Sequence, residues 1–231
     1  MMRTISVQEE LEMNFIAIKQ KLAELDTTCI SDANKALRVL DPEIRPISQG
    51  LEMIGIARTV HCESDFLTVI KALHDAEEDE VLVIDAAAAK IAVAGELFAT
   101  EAKRKKLAGI VIDGGCRDVK HLRQINLPIY TRYITPLAGT TGRIFQTQIP
   151  VICGGVTISP GDIVFGDDDG IIVMSEKECI EIYRTARNIQ EKEQRVLKLM
   201  ANNQSLIDMM NFSDHYDEIK KGQESQLIFK I

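Results

Sequence analysis

The sequence contains no tryptophan, and aromatic residues make up 5% of its 231 positions. Aliphatic side chains must therefore fill any core. At 45% hydrophobic residues the chain has enough of them, and its length fits one domain, or one domain with an extension. No Gly-x-Gly occurs, which excludes the dinucleotide fingerprint, and no Gly-x-x-x-x-Gly-Lys occurs, which excludes the phosphate-cradling Walker loop. Gly-x-Ser-x-Gly and His-Glu-x-x-His are also missing, which removes the nucleophile-elbow hydrolases and the zincins. No run approaches the roughly 18 apolar residues that cross a bilayer. Met1-Met2-Arg3-Thr4 leads into Glu9-Glu10 with no apolar signal core, so a cytoplasmic protein without membrane contact is expected. The five cysteines, Cys29, Cys62, Cys116, Cys153 and Cys179, are odd in number, widely spaced and form no Cys-x-x-Cys pair. That argues against structural zinc and against a disulfide framework, and fits a reducing compartment. A net charge of −8 leaves no basic footprint for nucleic acid. The basic cluster Lys103-Arg104-Lys105-Lys106 falls on a predicted helix and reads as a solvated face.

Hydrophobic spacing supplies the elements. Residues 7–25 carry Leu11, Phe15, Ile18, Leu22 and Leu25 at helical period. Thr27 to Leu40 predicts a second short helix, entered through Ser31-Asp32. Gly55 to Cys62 alternates like a strand, and Asp65 to His74 reads as a helix. Val81 to Asp85 and Gly109 to Asp113 are short continuous apolar runs, the mark of buried strands, with a helix from Gly95 to about Lys106 between them. Asp118 to Ile125 gives one or two helical turns, and Pro128 to Tyr133 another strand. Asp169-Gly170 between two apolar runs predicts a hairpin. Asp167-Asp168-Asp169 is then its solvated turn, because it lacks the alternate spacing and terminal glutamate of a calcium loop. A long helix should begin at the capping box Ser175 to Glu178, run to about Ala201 and carry an i,i+4 pair of Glu191 with Arg195. Beyond it lie isolated apolar anchors, Leu206, Ile207, Met209, Phe212, Leu227 and Phe229, suited to packing on a neighbour.

The run from Gly95 to Asp118 is the most informative. Arg117 offers a rigid, permanently charged fork for a carboxylate or an enolate oxygen. Asp118 is a hard oxygen ligand suited to Mg²⁺. The glycines beside them permit close approach of a small ligand. Gly95-Glu96-Leu97-Phe98 opens a helix whose first N–H groups can receive a carboxylate. Together these sketch a site for a small 2-oxo acid held against a divalent metal. Each piece also has an ordinary structural role: Asp118 as a helix cap, Arg117 as a surface residue, Glu96 as a complement to the helix dipole. The preceding strand and double glycine weigh against that, because α/β folds place ligands at such strand ends. Asp118 and His121 lie three apart, a weak metal pair, and nothing local supports Arg143 as a carboxylate partner.

These residues resemble the class II pyruvate aldolases that cleave 4-hydroxy-4-methyl-2-oxoglutarate and 4-carboxy-4-hydroxy-2-oxoadipate. Their superfamily includes the regulator of ribonuclease activity A. The family pattern is an acidic residue, twenty residues, then Arg-Asp, met here by Glu96 and Arg117-Asp118. Ile30-Ser31-Asp32-Ala33, the strand with Gly55, Ala57 and Val60, the stretch from Val156 to Gly170, and Lys192-Glu193-Gln194-Arg195 match as well. The resemblance implies an α/β protein with a compact layered α/β/β/α fold like the phosphohistidine swivelling domain. It implies an N-terminal helix over residues 1–26, a core over 27–174, and a long helix and tail over 175–231 that pack on a neighbouring subunit. A homotrimer or homohexamer would carry its active sites between subunits. Asp118 would bind Mg²⁺ or Mn²⁺, and Arg117 would stabilise the pyruvate enolate. Gly95, Glu96, Leu97 and Phe98 would bind substrate, with the amides of Leu97 and Phe98 on its carboxylate. Glu96 and a neighbour's Glu193 would complete the catalytic set. The family position of Glu96 is usually aspartate, one methylene shorter. The implied activity is metal-dependent retro-aldol cleavage of a 4-hydroxy-2-oxo diacid to pyruvate, with oxaloacetate decarboxylation through the same enolate. A reading of another class is a non-catalytic regulator that binds a ribonuclease; those regulators lack the C-terminal extension. A menaquinone methyltransferase is disfavoured by the lack of a glycine-rich nucleotide loop.

Overall fold

Parallel strands buried on both faces organise the chain, as its continuous apolar runs require. The structure is a computed structural model, which describes residues 15–230. The strands are β1 (Arg38–Val39), β2 (Arg45–Pro46), β3 (Met53–His61), β4 (Glu80–Ala94), β5 (Gly109–Cys116), β6 (Ile129–Ile134), β7 (Val151–Cys153), β8 (Val156–Ile158), β9 (Ile163–Gly166) and β10 (Ile171–Met174). Eight of them form one sheet in the order β1-β10-β9-β3-β4-β5-β6-β2, and β7 pairs with β8. Neighbours from β3 to β6 run parallel. The predicted hairpin is β9–β10, antiparallel, with Gly166 opposite Ile171.

Alternation along the strands assigns each side chain a layer. Leu82, Ile84, Ile110 and Ile112 pack with the helices α3 (Leu67–Asp75) and α4 (Glu96–Arg104). Val81, Val83 and Val111 point the other way, onto Val151, Cys153 and Ile158 of the β7–β8 hairpin. At the other end of the sheet Ile54, Ile163, Phe165, Ile172 and Met174 carry the helices α1 (Phe15–Leu22), α2 (Thr27–Ala33) and α6 (Glu176–Ala201). The short α5 is Val119–Leu122, and α7 is Phe212–Lys220. The fold is mixed α/β, with helices on one face of the sheet and a small β hairpin on the other.

Several local expectations are corrected. Helix α2 starts at Thr27 as read but is capped by Asp26, which accepts from Cys29 N at 2.7 Å, and it ends at Ala33, well short of Leu40. Ser31 and Asp32 lie inside the helix, and Arg38–Val39 is already strand. Strand β4 extends well past Asp85, through Ala87 and Ala88 at φ 52° each, and keeps pairing with β5 through successive register shifts as far as Ala94 opposite Cys116. The Asp167 turn is not merely solvated: Asp167 accepts from Thr27 N at 2.8 Å and Asp168 from Gly50 N at 2.9 Å. The capping box of α6 forms as expected, whereas Glu191 pairs with Arg187, one turn before it, at 3.1 Å. Residues 7–14 of the first expected helix lie outside the described residues. The five cysteines are buried and free. Burial pushes the Cys62, Cys116 and Cys179 thiols up to about 12, so none is a ready nucleophile.

One buried carboxylate fixes a long connection. Asp65, 1% exposed, accepts from Leu67 N at 3.0 Å, Thr140 Oγ1 at 2.7 Å, Gly142 N at 2.6 Å and Arg143 N at 3.1 Å. Burial alone would raise its carboxyl, but the hydrogen bonds more than offset this and hold it below the usual carboxylate value. A carboxyl depressed in the folded state contributes stability in full above its unfolded value of about 4. That contribution is lost as pH falls through the folded value. Asp65→Asn is therefore expected to destabilise the protein at pH 7, with the deficit shrinking as the pH drops below about 4. Urea unfolding at several pH values measures this, and a deficit independent of pH would contradict it.

Candidate functional site

The C-terminal ends of β4 and β5 lie side by side, Ala94 opposite Cys116, and each releases the chain into a turn and a helix. The irregular end of β4 needs glycine beside it. A Cβ on Gly115 would stand 2.6 Å from Ile91 O. Arg117 N then donates to Ala94 O at 3.2 Å, which sets the Arg117-Asp118 turn against the start of α4.

Asp118 occupies the cap position of α5, but its side chain makes no cap hydrogen bond there. Its backbone is left-handed, φ 62° and ψ 28°, a conformation aspartate tolerates better than most residues. The carboxylate is instead turned back onto α4. Its Oδ2 accepts from Glu96 N at 3.1 Å and lies 3.6 Å from Arg117 Nε. Oδ1 takes no hydrogen bond from the described residues. Gly95 makes this closure possible. Its φ is −171°, extended backbone open to any residue, so space alone demands glycine. A Cβ there would stand 2.5 Å from Asp118 Oδ2 and 2.9 Å from Arg117 Cγ.

Helix α4 brings its first turn to the same place. Ala99 N makes the first intrahelical bond, to Gly95 O at 3.1 Å, while Leu97 N and Phe98 N find no acceptor among the described residues. Both are orphan donors of a helix start, where the dipole favours an anion. Glu96 points to His121, Oε1 to Nδ1 at 3.6 Å. His121 is thus Glu96's neighbour; it meets Asp118 only through its backbone, His121 N donating to Asp118 O at 2.9 Å, with no side-chain pairing of the two among the described residues. A cavity of about 300 Å³ joins Arg117, Asp118, Gly95, Leu97 and Phe98. Phe66 and Ile70 of the α3 segment close it, with Phe66 edge-on to Phe98 at 5.8 Å between ring centroids. Ala92 to Ala94 and Ala138 finish the wall. The loop at Ala138 is bonded to β4 through Ala92 N to Leu137 O at 2.8 Å and Gly139 N to Ala92 O at 3.0 Å.

Of the sequence candidates, Gly95, Glu96, Leu97, Phe98, Arg117 and Asp118 come together. Glu193 does not join them within one chain. It lies on α6, which packs on α1, α2 and β10, and its Oε2 accepts from Cys29 Sγ at 3.4 Å. Arg143 pairs with Glu63 at 2.5 Å and stacks on Phe145. The basic cluster expected on a helix straddles the end of α4, with Lys105 as its cap and Lys106 beyond it, and is held piecewise, Arg104 by Glu101 and Lys106 by Glu78. The wall residues Phe66, Ile70 and Ala138 carry no chemical signature. Only the i,i+4 spacing of Phe66 and Ile70 hints that they share a face.

Strand ends, free helix amides and an Arg-Asp pair around one cavity make the candidate site of an α/β protein. The RraA-like family model, described as Aldolase/RraA, matches residues 27–173. A "Putative 4-hydroxy-4-methyl-2-oxoglutarate aldolase" of Halalkalibacterium halodurans is 34% identical over 196 residues, covering 84% of this chain and 92% of the relative. Among solved structures, the RNA-processing inhibitor RraA from Thermus thermophilis matches with a TM-score of 0.60 at 25% identity, over 64% of this chain and 92% of that one. A Pseudomonas syringae pv. tomato protein shares the fold, with a TM-score of 0.73 at 24% identity over 83% of this chain and 95% of that one. The chain belongs to the RraA-like Aldolase/RraA family.

The close approach at Gly95 makes a direct prediction. Gly95→Ala should displace the Asp118 carboxylate and speed hydrogen exchange at the Glu96 amide, leaving the cooperative melting transition intact. Unchanged protection of that amide in the folded variant would contradict the geometry.

Proposed function

We propose that the protein is a divalent-metal-dependent lyase that cleaves the C3–C4 bond of a 4-hydroxy-2-oxo acid and releases pyruvate. The observation that carries this is the convergence of Arg117, Asp118 and the free amides of Leu97 and Phe98 on one cavity. The named relative acts, by its description, on the diacid 4-hydroxy-4-methyl-2-oxoglutarate, which is the reference substrate. Oxaloacetate decarboxylation passes through the same enolate and is a second expected activity.

The donor set suits Mg²⁺ or Mn²⁺. Among the described residues no group of three His, Cys, Asp or Glu side chains could enclose a metal. Mg²⁺ is commonly held by one or two carboxylates, with water and substrate completing its shell, and Asp118 with its unused Oδ1 fits that role. Bound there, the ion supplies Lewis acidity to the 2-oxo acid.

The chain's own groups do the rest. The Leu97 and Phe98 amides take the substrate carboxylate. Loss of the C4 hydroxyl proton, through a water near Glu96, lets the C3–C4 bond break. C4 becomes a carbonyl and the bonding pair passes to C3, delocalised onto the 2-oxo oxygen facing Arg117. Arg117 is a fixed positive charge where negative charge develops, a role typically worth several kcal/mol. Protonation at C3 then gives pyruvate. A neighbouring subunit's Glu193 completes the proton path, and the tail supports that assembly. It closes on itself, with Asn211 bonded to Gln226 O and Ile228 N, and leaves Phe212, Tyr216 and Ile219 exposed on one face of α7. The alternative, a non-catalytic regulator that binds a ribonuclease, draws on the Thermus neighbour; α6 with its Glu193 favours the enzyme.

Arg117→Lys keeps the charge but loses the fork. Its turnover is expected to fall on the order of a hundredfold or more, read by pyruvate release with Mg²⁺ or Mn²⁺ present. Turnover within about threefold of wild type, against that same scale, would remove Arg117 from the chemistry. The shared site has its own test. Asp118→Ala and Glu193→Ala should each be inactive alone and regain partial activity when mixed, once subunit exchange is verified by mass. Mixed oligomers without activity, or a fully active Glu193→Ala, would defeat the shared-site model.

A further inference from the structure

Asp118 fixes the backbones of two residues that stand on different turns. Its Oδ2 accepts from Glu96 N at 3.1 Å, and its backbone O accepts from His121 N at 2.9 Å. The same carbonyl accepts from Leu122 N at 3.1 Å, and Leu122 is buried in the core. The His121 ring therefore starts from an anchored turn. Glu96 does not line the cavity, although its neighbours on both sides, Gly95 and Leu97, do. Its side chain is drawn along α5 instead, with Oε1 at 3.6 Å from His121 Nδ1. No other basic side chain among the described residues pairs with that carboxylate.

A half-exposed glutamate without a partner would sample many rotamers. An imidazole offers an N–H at Nδ1 when protonated and in one of its neutral tautomers. At 3.6 Å the attraction is electrostatic, and a small rotation completes a hydrogen bond. We infer that His121 is a positioning residue, which holds the Glu96 carboxylate at the rim of the cavity so that the water beside it can take the C4 hydroxyl proton. The inference rests on the lyase reading for the use made of Glu96. His121 acts through Glu96 and needs no contact with substrate.

The two expected reactions separate this role from a merely structural one. Retro-aldol cleavage must remove the C4 hydroxyl proton. Oxaloacetate has no such proton, and its C3–C4 bond breaks with release of carbon dioxide. The test uses the intact oligomer with Mg²⁺. The pair is half-exposed, so its loss should leave the melting transition in place. In His121→Ala, kcat for 4-hydroxy-4-methyl-2-oxoglutarate should fall by about tenfold with little change in KM, a part of what general acid–base catalysis supplies. The ratio of that kcat to the one for oxaloacetate should fall by about fivefold or more, on the same scale. His121→Asn, whose amide N–H can stand where Nδ1 stood, should restore most of the loss. Adding His121→Ala to Glu96→Asp should cost little more, because the shorter acid has already left the contact. Equal losses in the two reactions, a fully active His121→Ala, or losses that multiply in the double variant would overturn the inference.

A readout without turnover comes from ¹³C relaxation of the Glu96 γ-methylene. It should report an ordered side chain in the wild type and in His121→Asn, and a mobile one in His121→Ala. Equal mobility in all three would overturn the inference. No pyruvate from either substrate in the wild type, with that pattern of mobility intact, defeats the lyase reading and leaves the positioning of Glu96 standing.

Discussion

The site depends on the room left by one missing Cβ. Because residue 95 is glycine, the Arg117-Asp118 turn closes over the start of α4 with the Asp118 carboxylate on the Glu96 amide. Two sequence-distant loops become one surface through that contact. Among the described residues, the first turn of α4 keeps its next amides free, Arg117 is held beside them, and Asp118 retains an oxygen that takes no hydrogen bond. A local crowding constraint thus sets the chemistry, and the parallel pairing of β4 with β5 supplies the crowding.

The opposite face of the sheet stiffens the same strand. Asp113, three residues before Cys116, accepts from Arg132 Nε at 2.6 Å and from Gly154 N at 2.7 Å. Arg132 is 7% exposed and also reaches Asp41 at 2.9 Å and Glu43 at 2.6 Å. Its guanidinium is held firmly protonated; burial opposes the charge, and the three carboxylates more than restore it. One arginine therefore joins β6, β5, the β1–β2 connection and, through Asp113, the β7–β8 hairpin. A hydrogen-bonded network around a buried guanidinium favours a single arrangement, which suits a strand whose end must present Arg117 within a fraction of an ångström.

Much of this was legible in the chain. Continuous apolar runs at Val81 and Gly109 announced strands covered on both faces, and the capping box at Ser175 announced α6. The spacing of Glu96, Arg117 and Asp118 was readable because two adjacent βα turns are local signals. What escaped was non-local or irregular. Polyalanine from Ala86 to Ala89 carries no strand signature, so the second half of β4 was hidden until its pairing with the glycines of β5 appeared. Asp26 was passed over as a cap because Ser31-Asp32 matched the same chemistry one turn later. The apolar wall at Phe66, Ile70 and Ala138 comes from two further segments, and only tertiary structure brings them together. The role of Asp118 was ambiguous in sequence, where a cap and a ligand look alike; with the backbone at φ 62° its side chain makes no cap hydrogen bond to its own helix.

The most direct test is a crystal structure with Mn²⁺ and oxalate, a stable mimic of the pyruvate enolate. The account places the anomalous Mn²⁺ peak at Asp118, with oxalate bridging Arg117 and the amides of Leu97 and Phe98. Mn²⁺ and oxalate bound elsewhere, with Asp118 still on Glu96 N and the cavity empty of both, would contradict it.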